Sequence, residues 1–262
     1  PVVRTKANAG ALIGAVTPGT DFRGTIKLPT VEIKKVQVEY PQVQAEQTSA
    51  SAGALIGTFE GGSLTVQDVL AENHFRDKLG SSTEKAADLK LEEESKYRIR
   101  ALKGTAGGLI GTAKGKISLT DSAAALYVEG MYAGGLVGTA EKAAAAAAAS
   151  GSTVQIQSCY VGGHTANKKF DTSQKPGNGA NANTAFENLT GRYNVAAYTG
   201  GFAGGLAAQL PADSQIANTY VSASVYSPTA EEKSDETEGG SGTAADETED
   251  PAMKAPAFVA FA

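Results

Sequence analysis

Six residues return along almost the whole chain and limit what it can become. Ala106-Gly107-Gly108-Leu109-Ile110-Gly111 has near-copies in Ala9-Gly10-Ala11-Leu12-Ile13-Gly14, Ala52-Gly53-Ala54-Leu55-Ile56-Gly57 and Ala133-Gly134-Gly135-Leu136-Val137-Gly138. A looser copy is Ala203-Gly204-Gly205-Leu206-Ala207-Ala208. Self-similarity of this kind is the mark of a repeat architecture, in which each unit buries its apolar face only by stacking on its neighbours.

The sizes of the six residues say how they pack. Glycines and an alanine around one or two branched aliphatics give a strand with small spaces on one side and a core plug on the other. Glycine also supplies the positive-φ or close-backbone positions that a sharp corner needs. Side chains alternate along a strand, so Leu109 and Ile110 both face a core only if the chain turns between them. A corner at the Gly-Leu step is therefore predicted.

Each copy keeps similar company. Upstream stand β-rich runs, Tyr97 to Leu102, Leu126 to Tyr132 and Tyr193 to Tyr198. Downstream, after a polar turn, come Ile156-Gln157-Ser158-Cys159-Tyr160-Val161 and Ile216-Ala217-Asn218-Thr219-Tyr220-Val221, with weaker relatives in Val66 to Ala71 and Ile33 to Val38. The motif glycines Gly10, Gly53, Gly107, Gly134 and Gly204 are 43, 54, 27 and 70 residues apart. The shortest step reads as one plain coil, and the longer ones as coils carrying insertions or a decayed motif. The expected fold is all-β, a β-solenoid (parallel β-helix) whose structural repeat positions are Gly10, Gly53, Gly107, Gly108, Gly111, Gly134, Gly135, Gly138, Gly204 and Gly205.

The pairing of a Gly-Gly-Leu-Val-Gly strand with a downstream Ile-x-Asn-x-Tyr-Val strand resembles the GLUG repeat of large secreted and surface proteins of bacteria, including stalks of adhesins and of IgA-cleaving peptidases. The residues that carry it are Ala133 to Gly138 with Ile156 to Val161, and Ala203 to Leu206 with Ile216 to Val225. It extends loosely over Ala9 to Val225. Departures are the irregular spacing, Ala11 and Ala54 in place of the second glycine, and Ala208 in place of the closing one. The resemblance implies a β-helix on the cell exterior and names no bound partner.

Composition agrees with thin, closely stacked sheets: the 262 residues include 31 Gly, two Met and no Trp. The lone cysteine, Cys159, excludes an intrachain disulfide; it aligns with Thr219 and Val69 and reads as a small core residue rather than a reactive thiol. No apolar run reaches the length of a membrane-spanning helix, so membrane insertion is not expected. The chain begins Pro1-Val2-Val3, already in strand-like sequence, which reads as a processed product or a piece of something longer, with a first coil whose β-edge is open.

Between the repeats lie other materials. Gly24 to Val43 alternates as strand, broken by Pro29 and Pro41. Ser81-Ser82-Thr83-Glu84 opens a short helix through a capping box, with a hairpin as the alternative. Ala143 to Ala149 reads as a helical excursion or as unidentified residues written as alanine, and Lys168 to Asn188 as a polar loop that ends on a formal Asn188-Leu189-Thr190 sequon. The domain reading is a repeat domain over 1–228, an acidic linker or loop over 229–252 and an apolar strand over 253–262. Nine of the 28 acidic residues fall between Thr229 and Pro251, so the acidity of the chain belongs to that segment. Phe258, Val259 and Phe261 beyond it are the predicted assembly residues, seated as a strand on another subunit, with a cap on the same chain as the alternative.

Chemistry is sparse. His74 and His164, the only histidines, fall in different coils without a metal-ligand spacing, and Glu92-Glu93-Glu94 lacks an ordered calcium loop. No catalytic, cofactor or metal residues are assigned, and the absence of a dense basic and aromatic patch argues against nucleic acid. Asp68 and Asp121 align one repeat apart, as turn formers or as the carboxylates of a polysaccharide-cleaving site. The reading is an extracellular or cell-surface structural or adhesive protein, not an enzyme. Its partner is itself, as a homo-oligomer or fibre, or a host or matrix surface. The alternative is a polysaccharide-binding or polysaccharide-cleaving β-helix.

Overall fold

The computed structural model describes residues 1–72, 97–142, 154–162 and 194–227. Among these every regular element is a strand, and apart from one hairpin all pairing is parallel. The chain passes repeatedly through the same positions. The first pass holds β1 (Val2–Thr5), β2 (Ala9–Gly10), β3 (Ile13–Val16), the hairpin β4 (Gly19–Thr20) and β5 (Ile26–Lys27), and β6 (Thr30–Glu39). The second holds β7 (Gln42–Ala45), β8 (Ser51–Gly53) and β9 (Ile56–Glu72), and the third β10 (Arg98–Gly107), β11 (Ile110–Thr120) and β12 (Ala123–Ala125). The fourth holds β13 (Tyr127–Gly134), β14 (Val137–Glu141), β15 (Val154–Gln157) and β16 (Tyr160–Gly162). The fifth holds β17 (Val195–Gly204), β18 (Ala207–Gln209), β19 (Gln215–Ala217) and β20 (Tyr220–Ser222), after which β21 (Val225–Tyr226) opens another row.

These strands make two curled parallel sheets of eight and eleven strands. One takes β1, β7, β10, β13, β17 and β21 side by side, joined by the short β2 and β8; the other takes the strands that follow each motif. Strand register turns the sequence copies into columns. Ala9, Ala52, Ala106, Ala133 and Ala203 share one, and the adjacent column is Gly10, Gly53, Gly107, Gly134 and Gly204. Neighbouring strands stand ~4.8 Å apart, so like residues lie directly over like.

The core consists of such columns. Ile33, Val66, Leu119, Ile156 and Ile216 form one, and Val38, Ala71, Ala124, Val161 and Val221 another. Leu109 and Ile110 are both fully buried because the backbone bends at Gly108-Leu109, so neighbours in sequence point inward from two different strands.

The motif glycines serve close approach and not left-handed backbone. A Cβ on Gly10, Gly53, Gly107, Gly134 or Gly204 would overlap the carbonyl oxygen of the residue three positions on, so the first glycine makes the bend possible. At the second position, a Cβ on Gly108 would overlap the Gly135 carbonyl, and one on Gly135 that of Gly205, which are contacts with the next pass. The closing glycine faces the other way: Gly111 packs on Gly57 and Ala52, and Gly138 on Gly111 and Ala106.

The irregular spacing has physical homes. The corner between the two halves of the first sheet grows and shrinks: Ala101 to Thr105 in the third pass corresponds to Gly130 to Tyr132 in the fourth and Ala197 to Phe202 in the fifth. In the first pass the surplus is the antiparallel hairpin Gly19–Lys27, whereas sequence alternation alone places Ile26 in one run with β6. Local turn chemistry wins there. The Asp21 carboxylate accepts hydrogen bonds from the Arg23 and Thr25 amides, and Gly24 takes a positive φ, 79°. The remaining surplus falls in residues 73–96, 143–153 and 163–193. The helix or hairpin expected at Ser81, the alanine run at Ala143, the loop from Lys168 with its sequon, and the segments 229–252 and 253–262 all lie outside the described residues.

Candidate functional site

Three surfaces and one buried cluster hold the side chains with chemistry to offer. The first surface runs along a corner of the second sheet. Lys35, Asp68, Asp121, Ser158 and Asn218 occupy the same place in successive passes, each with a positive φ between 49° and 55°. Asp and Asn tolerate the left-handed region better than most residues; Lys35 and Ser158 show that the column imposes it regardless of residue type. All five are exposed. Lys35, Gln37, Asp68, Leu70, Asp121 and Ala123 line a shallow groove of about 420 Å³ along this corner. The aligned aspartates are thus turn residues that also present two carboxylates to the groove.

Immediately after that corner residue the chain turns inward. The next column is Val36, Val69, Ser122, Cys159 and Thr219. Three of its members close the bend in the same way: the Ser122 hydroxyl donates to the Thr120 carbonyl at 2.7 Å, the Cys159 thiol to Gln157 at 3.3 Å and the Thr219 hydroxyl to Ala217 at 3.0 Å. Cys159 is buried and free. Burial pushes its thiol pKa up, against smaller lowering contributions from backbone contacts at Ser122 and Gln157. A neutral thiol is a poor nucleophile, and its place in the fold is that of a hydroxyl surrogate.

The second surface is aromatic. Tyr160 and Tyr220 stack one above the other with ring centroids 5.7 Å apart and planes within 8°. Tyr132 and Phe202 also stack, less squarely, with centroids 6.0 Å apart and planes at 25°. Both pairs are in register across adjacent passes, and Tyr220 and Phe202 are more than half exposed.

The third comprises the faces of the first and last passes. Among the described residues the large apolar side chains left exposed are Val2, Leu12, Phe22, Ile26 and Leu28 in the first pass, Tyr160 in the fourth, and Phe202, Ile216, Tyr220 and Val221 in the last. The described residues of the second and third passes have none.

The buried cluster joins β10, β13 and β17. Glu129 is almost wholly enclosed, with Arg98 Nη1 at 3.6 Å from Oε1 and Arg100 Nε at 3.5 Å from Oε2. Arg100 Nε also donates to the Tyr198 hydroxyl at 3.4 Å. Burial above all, and then the Glu129 carboxylate, drive the Tyr198 pKa far up, with Arg100 and Arg98 opposing. In sequence, Arg98, Arg100 and Glu129 read only as members of β-rich runs. The alternation Arg98-Ile99-Arg100 does mark two cations on one face, but the carboxylate between them comes from the next pass and is found only through register.

The structure gathers Gly10, Gly53, Gly107, Gly134 and Gly204 into one column, Gly108, Gly135 and Gly205 into the next, and sets Gly111 and Gly138 against the pass before. Phe258, Val259 and Phe261, with His74, His164 and Glu92 to Glu94, lie outside the described residues. Among the described residues no group of three or more His, Cys, Asp or Glu side chains stands close enough to hold a metal ion. No family model matches the chain, and comparison with curated proteins and with solved structures likewise finds no significant relative.

Proposed function

We propose that this chain is a β-solenoid of a bacterial surface or secreted protein and serves as structural or adhesive material. One observation carries the reading: interior columns take one residue from each pass and are buried through the middle of the stack, with glycine wherever a side chain would hold two passes apart. A chain that commits its residues in this way gains a rigid stack whose outer face is free to vary, as repeat proteins do. The resemblance of the Gly-Gly-Leu-Val-Gly and Ile-x-Asn-x-Tyr-Val strands to the GLUG repeat supplies the exterior location.

The test is location and activity together. Antibodies to the purified chain should label intact cells of the source organism, and mild protease treatment of those cells should remove the signal. Confinement to the cytosol would overturn the reading.

A second reading draws on the corner groove, where Asp68, Asp121 and Lys35 lie along one line and the stacked Tyr160 and Tyr220 continue the same outer face. It makes the chain a polysaccharide-binding or polysaccharide-cleaving β-helix. A glycan panel separates the two: depolymerisation or glycan binding that is lost in Asp121→Asn favours the second, and neither binding nor turnover on any glycan keeps the first.

A further inference from the structure

We infer that the corner groove holds a linear, uncharged glycan laid along the stack, one sugar to each pass that it crosses. This deepens the polysaccharide-binding reading and rests on it. The direction comes from strand register. One wall of the groove is the corner column, Lys35, Asp68 and Asp121, and the other is the column two residues further on, Gln37, Leu70 and Ala123. Val36 and Val69 lie between them. Both walls cross the strands, so the groove runs from pass to pass over two steps of ~4.8 Å. A linear hexose chain advances by a similar step per sugar, so an occupant laid this way meets the same pair of walls at every ring. At the fourth pass the column changes from its smallest side chain, Ala123, to Tyr160, 40% exposed, and the lining stops.

The lining matches the two kinds of surface on a sugar ring. Hexoses carry hydroxyls around the rim and C–H groups on their faces. Asp68 and Asp121 stand where they accept from the rim, Lys35 where it donates, and Val36, Val69 and Leu70 offer apolar surface to a face. These polar groups are available. Among the described residues Asp68, Asp121 and Lys35 enter no ion pair and no side-chain hydrogen bond, although Lys35 and Asp68 are neighbours in their column. Charge then selects among glycans. The two carboxylates repel a polyanion. The outward residues that lead into the corner along β9, β11 and β15 are Thr65 and Gln67, Ser118 and Thr120, Gln155 and Gln157, in register. Hydroxyls and amides throughout, they suit a neutral polymer and give a polycation no further counter-charge.

The test is calorimetric titration of the full chain with neutral oligosaccharides of one to six sugars. Cello- and chito-oligosaccharides come first, then the series of any other neutral polymer that binds in the glycan panel, with polygalacturonate as the polyanion. Affinity should climb with each sugar up to three, the number of passes that line the groove, and rise little beyond, and polygalacturonate should not bind. Asp68→Asn and Asp121→Asn should each weaken the trisaccharide about tenfold, through loss of a charge-assisted hydrogen bond. Ala123→Leu, a side chain that the column already carries at Leu70, should fill the third step, so that di- and trisaccharide bind alike; Ala123→Val replaces it if leucine disturbs the native circular dichroism. A monosaccharide that binds as tightly as the trisaccharide overturns the proposal, as does a length dependence that survives in a folded Ala123 variant. If binding is nevertheless lost in Asp121→Asn, the polysaccharide-binding reading stands without it. Binding of polygalacturonate alone overturns the neutral ligand. No binding by any neutral series removes the proposal together with the reading it rests on.

Discussion

Gly107 lies so close to the carbonyl oxygen of Ile110 that no methyl group fits between them. The same relationship holds at Gly134 and Val137, in the middle of the stack, where the pass above offers no room to relax. Gly134→Ala should therefore cost about 1 to 3 kcal/mol or more, the range for overpacking a tight interior. Gly19, at an ordinary φ and with no atom within 4 Å of the place a methyl group would take, is the control. Gly19→Ala should stay within about 0.5 kcal/mol of the parent. Midpoints of denaturant unfolding give both values, and equal midpoints would remove close approach as the role of the motif glycines.

Asp121 tests the left-handed corner, since its φ is 49° and its side chain is exposed. Asp121→Asn should be neutral, whereas Asp121→Val, β-branched at a left-handed position, should lose about 1 to 2 kcal/mol. At the same position in the first pass, Lys35→Gly should raise stability by up to about 1 kcal/mol. A series in which the three variants melt together would mean that the corner relaxes freely.

Cys159→Ser should keep the bend closed, because Ser122 and Thr219 make the same bond to the carbonyl two residues back. The native thiol, buried and held neutral, should react with a thiol reagent only at the rate of unfolding, and the reaction should speed up in denaturant. Fast stoichiometric labelling of the native chain would contradict this placement.

Much of this architecture is legible from the six-residue copies, because a repeated Gly-Leu step sets both the corner and the column that forms above it. Alignment of Cys159 with Thr219 and Val69 holds in the strand register for the same reason. Lys35 and Ser158 mark where reading by residue type stops: their left-handed backbone comes from position in the stack, not from any preference of lysine or serine. Glu129 marks a second limit. Its sequence surroundings read as a β-rich run and no more, and only the pairing of Arg100 with Glu129 across two passes shows an enclosed charge cluster. The hairpin at Gly19–Lys27 is a third, where an Asp side chain capping two amides overrides alternation.

Tyr198 gives that cluster a signature in solution. Its hydroxyl pKa in the folded chain is raised, by burial first and by Glu129 second. The unfolded chain ionises tyrosine near pH ~10, so above that value the unfolded state binds fewer protons than the native state. Stability then falls with rising pH, by up to about 1.4 kcal/mol per pH unit from this one group. Tyr198→Phe forfeits the bond from Arg100 at every pH and also removes the alkaline slope. Its stability should lie below the parent's at pH ~8, and the gap should narrow as pH rises past ~10. Other titrating groups cancel in the difference between the two curves. Parallel curves through that range would mean that the Tyr198 hydroxyl ionises in the folded chain as readily as in water, and that the Arg98, Arg100 and Glu129 cluster is not enclosed.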